Sequence, residues 1–203
     1  MKKLQFNAPV ILGFFFVSLL SLVLGFLTSG ASTTAAFSVY RASLLDPLTY
    51  VRFFGHIFGH ASLTHFSSNM LLLLVVGPPL EKLYGSKTIA LGIMAAALIT
   101  GILQFVFFPH TILLGASGIV FMLIMLSSFS GAKTGQIPVT LILVALMYLG
   151  QEVYSIFFIL DSGLHQKNPL KPQGFGGFSD DDGEMFPLFY PYCAVSLNRR
   201  QHS

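Results

Sequence analysis

Residues 9–27 read PVILGFFFVSLLSLVLGFL, a run with no charge and no polar side chain beyond two serines. The hydrocarbon layer of a bilayer is roughly 30 Å thick and a helix rises about 1.5 Å per residue, so about 20 apolar residues cross it. This run has that length, and no charged residue falls between Leu4 and Tyr40. Lys2 and Lys3 precede it, which makes a cleaved secretory signal the competing interpretation. A signal core is shorter, at roughly 7–15 residues. The decisive point is that similar segments follow.

A second apolar block covers about Leu63 to Leu80 and ends in Gly77-Pro78-Pro79 ahead of Glu81-Lys82. A third runs from Thr88 to Phe108, a fourth from about Ile112 to Phe129, and a fifth from Ile137 to Leu160. Backbone groups cannot go unpaired in lipid, so runs of this length and spacing predict an all-α, polytopic bundle of five transmembrane helices. Composition agrees: the 203 residues are 54% hydrophobic and 9% charged, where soluble chains carry about 25% charged residues. The mean hydropathy is +0.75. That balance excludes a disordered chain, a basic nucleic-acid-binding domain and a disulfide scaffold. The single cysteine, Cys193, has no internal partner for a bridge.

Loop charge orients the bundle. Lys2, Lys3, Lys82, Lys87 and Lys133 lie before the first span, between the second and third, and between the fourth and fifth. If all five segments cross, these loops share one side, and the positive-inside rule makes it the cytoplasmic side. The expectation is a multi-pass protein of a bacterial inner membrane with a cytoplasmic N-terminus. The opposite side holds the Thr28–Ser62 segment and the Pro109-His110 turn. Within the former, Thr49 to Ala61 is aromatic yet carries Arg52, His56 and His60, and is too short to cross. It is predicted to lie as a helix in the outer interface.

Polar side chains are costly inside a bilayer and point to function by default. His65 and Asn69 are four residues apart at the outer end of the second span and share one helix face. Gly115-Ala116-Ser117-Gly118 opens the fourth span, its small residues leaving the serine hydroxyl uncrowded. Gln151-Glu152 falls in the fifth. Each group has a plainer reading as interhelical hydrogen bonding or small-residue packing. His56, His60 and His65 also admit a metal-binding reading, although no cysteine or well-placed carboxylate completes a site. Topology favours another arrangement. The second and fourth spans both descend from the outer side, so His65, Asn69 and Ser117 are expected at similar depth. A serine beside two side-chain donors outlines a nucleophile with an oxyanion hole, to which the Ser117 N–H would contribute.

Several motifs then resemble one family, the rhomboid intramembrane serine proteases. They are Arg52 within Tyr50-Val51-Arg52-Phe53-Phe54; His60-Ala61-Ser62-Leu63-Thr64-His65 leading to Asn69; Glu81-Lys82-Leu83-Tyr84-Gly85-Ser86; and Gly115-Ala116-Ser117-Gly118. Their order and spacing match over about residues 9 to 160, a rhomboid-like transmembrane domain. The resemblance implies that Ser117 is the nucleophile, that His65 and Asn69 are oxyanion donors, and that Gly115 and Gly118 support the serine motif. It implies structural roles for Arg52 and Glu81. The implied reaction is hydrolysis of peptide bonds in or near transmembrane segments of other membrane proteins, the expected partners together with the lipid bilayer. No metal or organic cofactor and no nucleic acid is implied.

A serine nucleophile needs a base, and in this family that histidine is expected within Ala-His-x-x-Gly on a sixth helix. Residues 161–203 form a polar tail in which no such helix is found; the best apolar stretch, Met185 to Leu197, has 13 residues and two prolines. The balance of charge changes too, from 7 basic and 3 acidic residues over 1–160 to 4 and 5 over 161–203. These features suggest a changed reading frame or a truncated gene, which sequencing the locus for an alternative frame encoding Ala-His-x-x-Gly would decide. His165 is the replacement base candidate, with a solvated loop histidine as the plainer alternative. Two function classes remain: a rhomboid-type endopeptidase, or a pseudoprotease that binds transmembrane segments without cleaving them. A small transporter is disfavoured because no inverted repeat stands out.

Overall fold

A computed structural model describes residues 7–109 and 111–130, together with isolated positions 139, 142, 143, 146, 147 and 150. Apart from those isolated positions, the fifth span and the tail after residue 160, including Gln151, Glu152, His165 and Cys193, lie outside the described residues. Every regular element described is helical. The chain forms α1 (Pro9–Leu27), α2 (Ala31–Ala36), α3 (Pro47–Gly55) with a 3₁₀ turn at His56–Phe58, α4 (Leu63–Tyr84), α5 (Ser86–Phe107) and α6 (Ser117–Ser130). Among the described residues, α1, α4 and α5 are long and apolar enough to cross a membrane, and α6 is a shorter apolar helix.

The N-terminus of α1 explains how the bundle is tied together. Pro9 sits in its first turn, where a missing N–H costs nothing. The next two N–H groups would be orphaned, but Val10 and Ile11 each donate to one carboxylate oxygen of Glu81 at 3.0 Å. Ser86 donates to the same carboxylate at 2.6 Å. One buried acidic side chain thus joins α1, the last turn of α4 and the start of α5, and its charge suits the positive end of the α1 dipole. This places the α1 N-terminus and the Lys82–Lys87 turn at one end, as the loop charges predicted. At the other end, Val39 and Leu113 exchange backbone hydrogen bonds at 2.8 and 2.9 Å, joining the first loop to the segment before α6.

Two of the expected spans have boundaries that differ from the sequence expectation. The second span does not stop at Leu80: α4 continues through Pro78 and Pro79 to Tyr84. The prolines remove the helical bonds to the Leu74 and Val75 carbonyls. Burial of Leu80 and the ties made by Glu81 hold the following turn in place all the same. The fourth helix begins at Ser117 and not at Ile112. Leu113 is held extended by Val39, and Gly115 has φ +126°, so no helix can propagate back through them.

The interfacial helix expected over Thr49 to Ala61 is shorter at its C-terminal end. It starts at Pro47, capped by the Asp46 carboxylate accepting from Leu48 N–H at 3.0 Å, and gives way at His56. Arg52 anchors it by donating to the Ala35 carbonyl at 2.9 Å and to Asp46 at 3.1 Å, with its guanidinium 4.6 Å from the Tyr40 ring centre. The core between α1, α4, α5 and α6 is built from Ile11, Phe14, Leu73, Ile93, Ile119 and Leu123. Gly77 lets α1 approach α4 closely, because a Cβ there would lie 2.6 Å from Ile11 Cδ1. Small residues serve this purpose at membrane helix contacts. The outer faces of α1 and α5 carry exposed Phe16, Leu20, Leu91, Ile99 and Val106, which suits contact with lipid tails.

Candidate active site

His65 lies in the first turn of α4, which Ser62 caps by accepting from the His65 N–H at 3.1 Å. Asn69 follows one turn deeper. Both side chains are buried, and the Asn69 amide donates to the His65 carbonyl at 3.0 Å. That bond takes one of its two amide hydrogens and leaves the other. Asn69 is thus tied to its own helix.

Ser117 is the first residue of α6 and is half-buried. The first bond of the helix runs from Val120 N–H to the Ala116 carbonyl at 2.9 Å. The N–H groups of Ser117, Gly118 and Ile119 therefore precede the helix's own bonding, where a helix presents donors and partial positive charge. Gly115 sets this up. Its N–H donates to the His56 carbonyl at 2.9 Å, and its φ of +126° is a conformation that side-chain-bearing residues rarely adopt. A Cβ on Gly115 would fall 2.8 Å from His65 Cε1 and 2.9 Å from His65 Nε2. The imidazole edge bearing Nε2 is thus seated on the backbone two residues before Ser117. Two motifs fifty residues apart, on α4 and ahead of α6, meet at this point. Gly118 lies on the other side, where a Cβ would make ordinary contact with the Thr100 methyl at 3.5 Å.

His56 and His60 flank this arrangement. His56 Nδ1 lies 3.1 Å from the Arg52 carbonyl, and its Nε2 lies 3.1 Å from the Thr100 hydroxyl. His60 Nδ1 lies 3.1 Å from the Phe58 carbonyl. The metal reading of His56, His60 and His65 is not supported, because both nitrogens of His56 are engaged elsewhere. Among the described residues no group of three such side chains is placed to hold an ion. Burial pushes the His56 pKa down to about 4, against the opposing pull of the Arg52 and Phe53 backbone. Burial, aided by the neighbouring His65 charge and opposed by the Phe58 carbonyl, pushes His60 down to about 3. Both rings are neutral at ordinary pH.

Sequence reasoning missed Thr100 and Gln104. Thr100 meets His56, while the Gln104 amide donates to the Thr111 hydroxyl at 2.8 Å and to the Thr111 carbonyl at 3.1 Å, closing the turn after α5. They stand four residues apart in an otherwise apolar span. The cost of polar groups in lipid, which singled out His65 and Asn69, marks them equally.

A family model described as the rhomboid domain matches residues 47–164, more than half of the chain. The chain belongs to the rhomboid family. It is accordingly a multi-pass membrane protein of a family whose members are in general serine intramembrane proteases, and the all-helical bundle with three long apolar helices fits that membership. The matched span contains Arg52, His65, Asn69, Glu81, Gly115, Ser117, Gly118 and, at its far end, residues 161–164; His165 stands one residue beyond it. No match was found among curated proteins.

Proposed function

We propose that this rhomboid-family chain is an intramembrane serine endopeptidase that cleaves transmembrane segments of other membrane proteins, with Ser117 as nucleophile. The observation that carries the proposal is the seating of the His65 imidazole edge on Gly115, beside a serine that opens a helix. In this reading Ser117 Oγ adds to the carbonyl carbon of a peptide bond and its proton passes to a histidine base, for which His165 is the candidate. The carbonyl oxygen becomes an oxyanion. His65 Nε2–H, the remaining Asn69 amide hydrogen and the Ser117 N–H are the donors proposed to hold it. Collapse expels the amine, which takes the proton back from the base, and water then hydrolyses the acyl-enzyme. The N-terminus faces the cytoplasm, so the scissile bond lies toward the outer face.

The supporting reasons are physical. Ser117 is half-buried and not sealed away, Gly115 lets the His65 imidazole approach the backbone before it, and the N–H groups at the start of the helix, which precede its own bonding, favour developing negative charge. A second reading, a pseudoprotease that binds transmembrane segments without cleaving them, is favoured by one observation: residues 161–203 carry no Ala-His-x-x-Gly within an apolar run.

Cleavage of a membrane-embedded reporter segment by the full chain separates the two. The endopeptidase reading predicts turnover that Ser117→Ala abolishes. His65→Ala or Asn69→Ala should each lower the rate on the order of 10²–10³-fold, the cost of one oxyanion donor. Absence of turnover with retained binding of the segment would favour the pseudoprotease. Equal, complete loss in all three variants would remove the distinct roles assigned here.

A further inference from the structure

Two buried imidazole nitrogens close to this site have no hydrogen-bond partner among the described residues: Nε2 of His60 and Nδ1 of His65. The residues are 1% and 8% exposed, and their rings meet edge to face with centroids 5.2 Å apart. The positions of the hydrogens follow from the partners that exist. His60 Nδ1 faces the Phe58 carbonyl. A carbonyl only accepts, so Nδ1 carries the hydrogen of this neutral ring and Nε2 is a bare acceptor. For His65, the tautomer is decided by what Nδ1 meets, since the bond made by one ring nitrogen fixes the proton on the other. Donation to an oxyanion at Ser117 requires the hydrogen on Nε2, the edge that faces Gly115. That leaves His65 Nδ1 as a second bare acceptor in the adjoining ring.

Two buried acceptors in neighbouring rings are not left unpaired without cause. A direct bond from His65 Nδ1–H to His60 Nε2 would satisfy both, but it would strip the hydrogen from His65 Nε2, and no such bond is formed. The remaining solution is a small molecule with two donor hydrogens and no bulk. Water has both properties, and buried waters characteristically bridge such groups.

We propose that a buried water donates one hydrogen bond to His60 Nε2 and one to His65 Nδ1, and so holds His65 in the Nε2–H form. The inference rests on the oxyanion role proposed for His65. It makes His60 a positioning residue, which touches no substrate and acts through the water on His65. His56 cannot take this place, because its nitrogens are committed to the Arg52 carbonyl and the Thr100 hydroxyl.

The test is nitrogen NMR of the full chain in lipid with isotope-labelled histidine, the His65 signals being identified by their loss in His65→Gln or His65→Asn. The expected result is a protonated Nε2 and a bare Nδ1 on His65, with magnetisation transfer from water to that ring. His60→Phe keeps an aromatic ring but removes the acceptor, so both tautomers of His65 should then appear. His60→Gln, whose amide oxygen can accept from the water, should restore one. The rate at which a fluorophosphonate probe labels Ser117 should fall several-fold in His60→Phe and recover in His60→Gln. A hydrogen on His65 Nδ1 in the unmodified chain, or an unchanged tautomer in His60→Phe, overturns the inference. Should His60→Phe fail to fold, the tautomer of the unmodified chain decides alone. A chain that never labels while His65 shows the expected tautomer counts against the endopeptidase and leaves the water bridge standing; a labelled serine with hydrogen on Nδ1 does the reverse.

Discussion

Substituting Gly115 by alanine tests the geometry around Ser117 without replacing any side chain given a part in the reaction. The added methyl would lie 2.8 Å from His65 Cε1 and 2.9 Å from Nε2, where carbon contacts normally settle at about 3.5–4.0 Å. The imidazole or the Gly115 backbone must therefore move by roughly 0.7 Å or more. The φ of +126° adds strain of about 1–3 kcal/mol for a residue with a Cβ. Overpacking of a buried contact costs a further 1–3 kcal/mol or so. Together these imply a loss of about 2–6 kcal/mol in stability. A displacement approaching 1 Å near reacting atoms costs on the order of 10² in rate. Gly92→Ala is the control: it adds a methyl within the first two turns of α5, 3.5 Å from Met122 Sδ, which is ordinary contact. Thermal unfolding in detergent and the probe-labelling rate of Ser117 should both fall in Gly115→Ala and stay near the parent value in Gly92→Ala. Equal melting temperatures and labelling rates for Gly115→Ala and the parent would refute the placement of His65 against this backbone.

Other expectations follow from the same contacts. Glu81→Ala removes the acceptor for Val10, Ile11 and Ser86 and should cost about 2–4 kcal/mol in thermal unfolding, since bonds to charged groups contribute about 1.5–3 kcal/mol each and partly share that value. Ser18→Ala deletes a fully buried hydroxyl with no partner among the described residues; its unfolding midpoint should be unchanged or slightly raised, and a clear drop would reveal a bond outside them. Low pH should destabilise the fold through His56 and His60. Their folded pKa values, about 4 and about 3, lie below the ordinary 6.5, so the unfolded chain binds more protons and stability rises with pH between those limits. Stability is thus fully present above about pH 6.5 and should fall by up to about 1.4 kcal/mol per pH unit for each histidine as pH drops toward 4. A flat unfolding profile from pH 7 to 5 would contradict their buried, neutral state.

Much of this arrangement was readable in the amino-acid order because lipid leaves so few options. Helices α1 and α5 match the apolar runs from Pro9 to Leu27 and from Thr88 to Phe108 within two residues, since hydropathy alone sets their extent. The loop lysines anticipated that the α1 N-terminus and the turn after α4 share one end. What local sequence did not reveal was decided by tertiary contact. Pro78 and Pro79 read as a stop, yet the ties of Glu81 to α1 carry the helix past them. The start of α6 was hidden because Ile112 to Ala116 is as apolar as the helix that follows, and only the bridge to Val39 and the backbone of Gly115 make it extended. The pairing of His65 with the serine motif was anticipated as common depth. Its instrument, an imidazole resting on a glycine, was not, because no spacing rule links residues fifty positions apart. The His56–Thr100 contact was missed for the same reason.

The most direct test of the central claim is reaction of the full, folded chain with a fluorophosphonate probe, followed by mapping of the modified residue. The probe needs an activated serine and no known substrate. The account predicts a single adduct on Ser117, absent from Ser117→Ala. A helical, folded preparation in which Ser117 stays unmodified would contradict it and leave a rhomboid-family protein that engages transmembrane segments without cutting them.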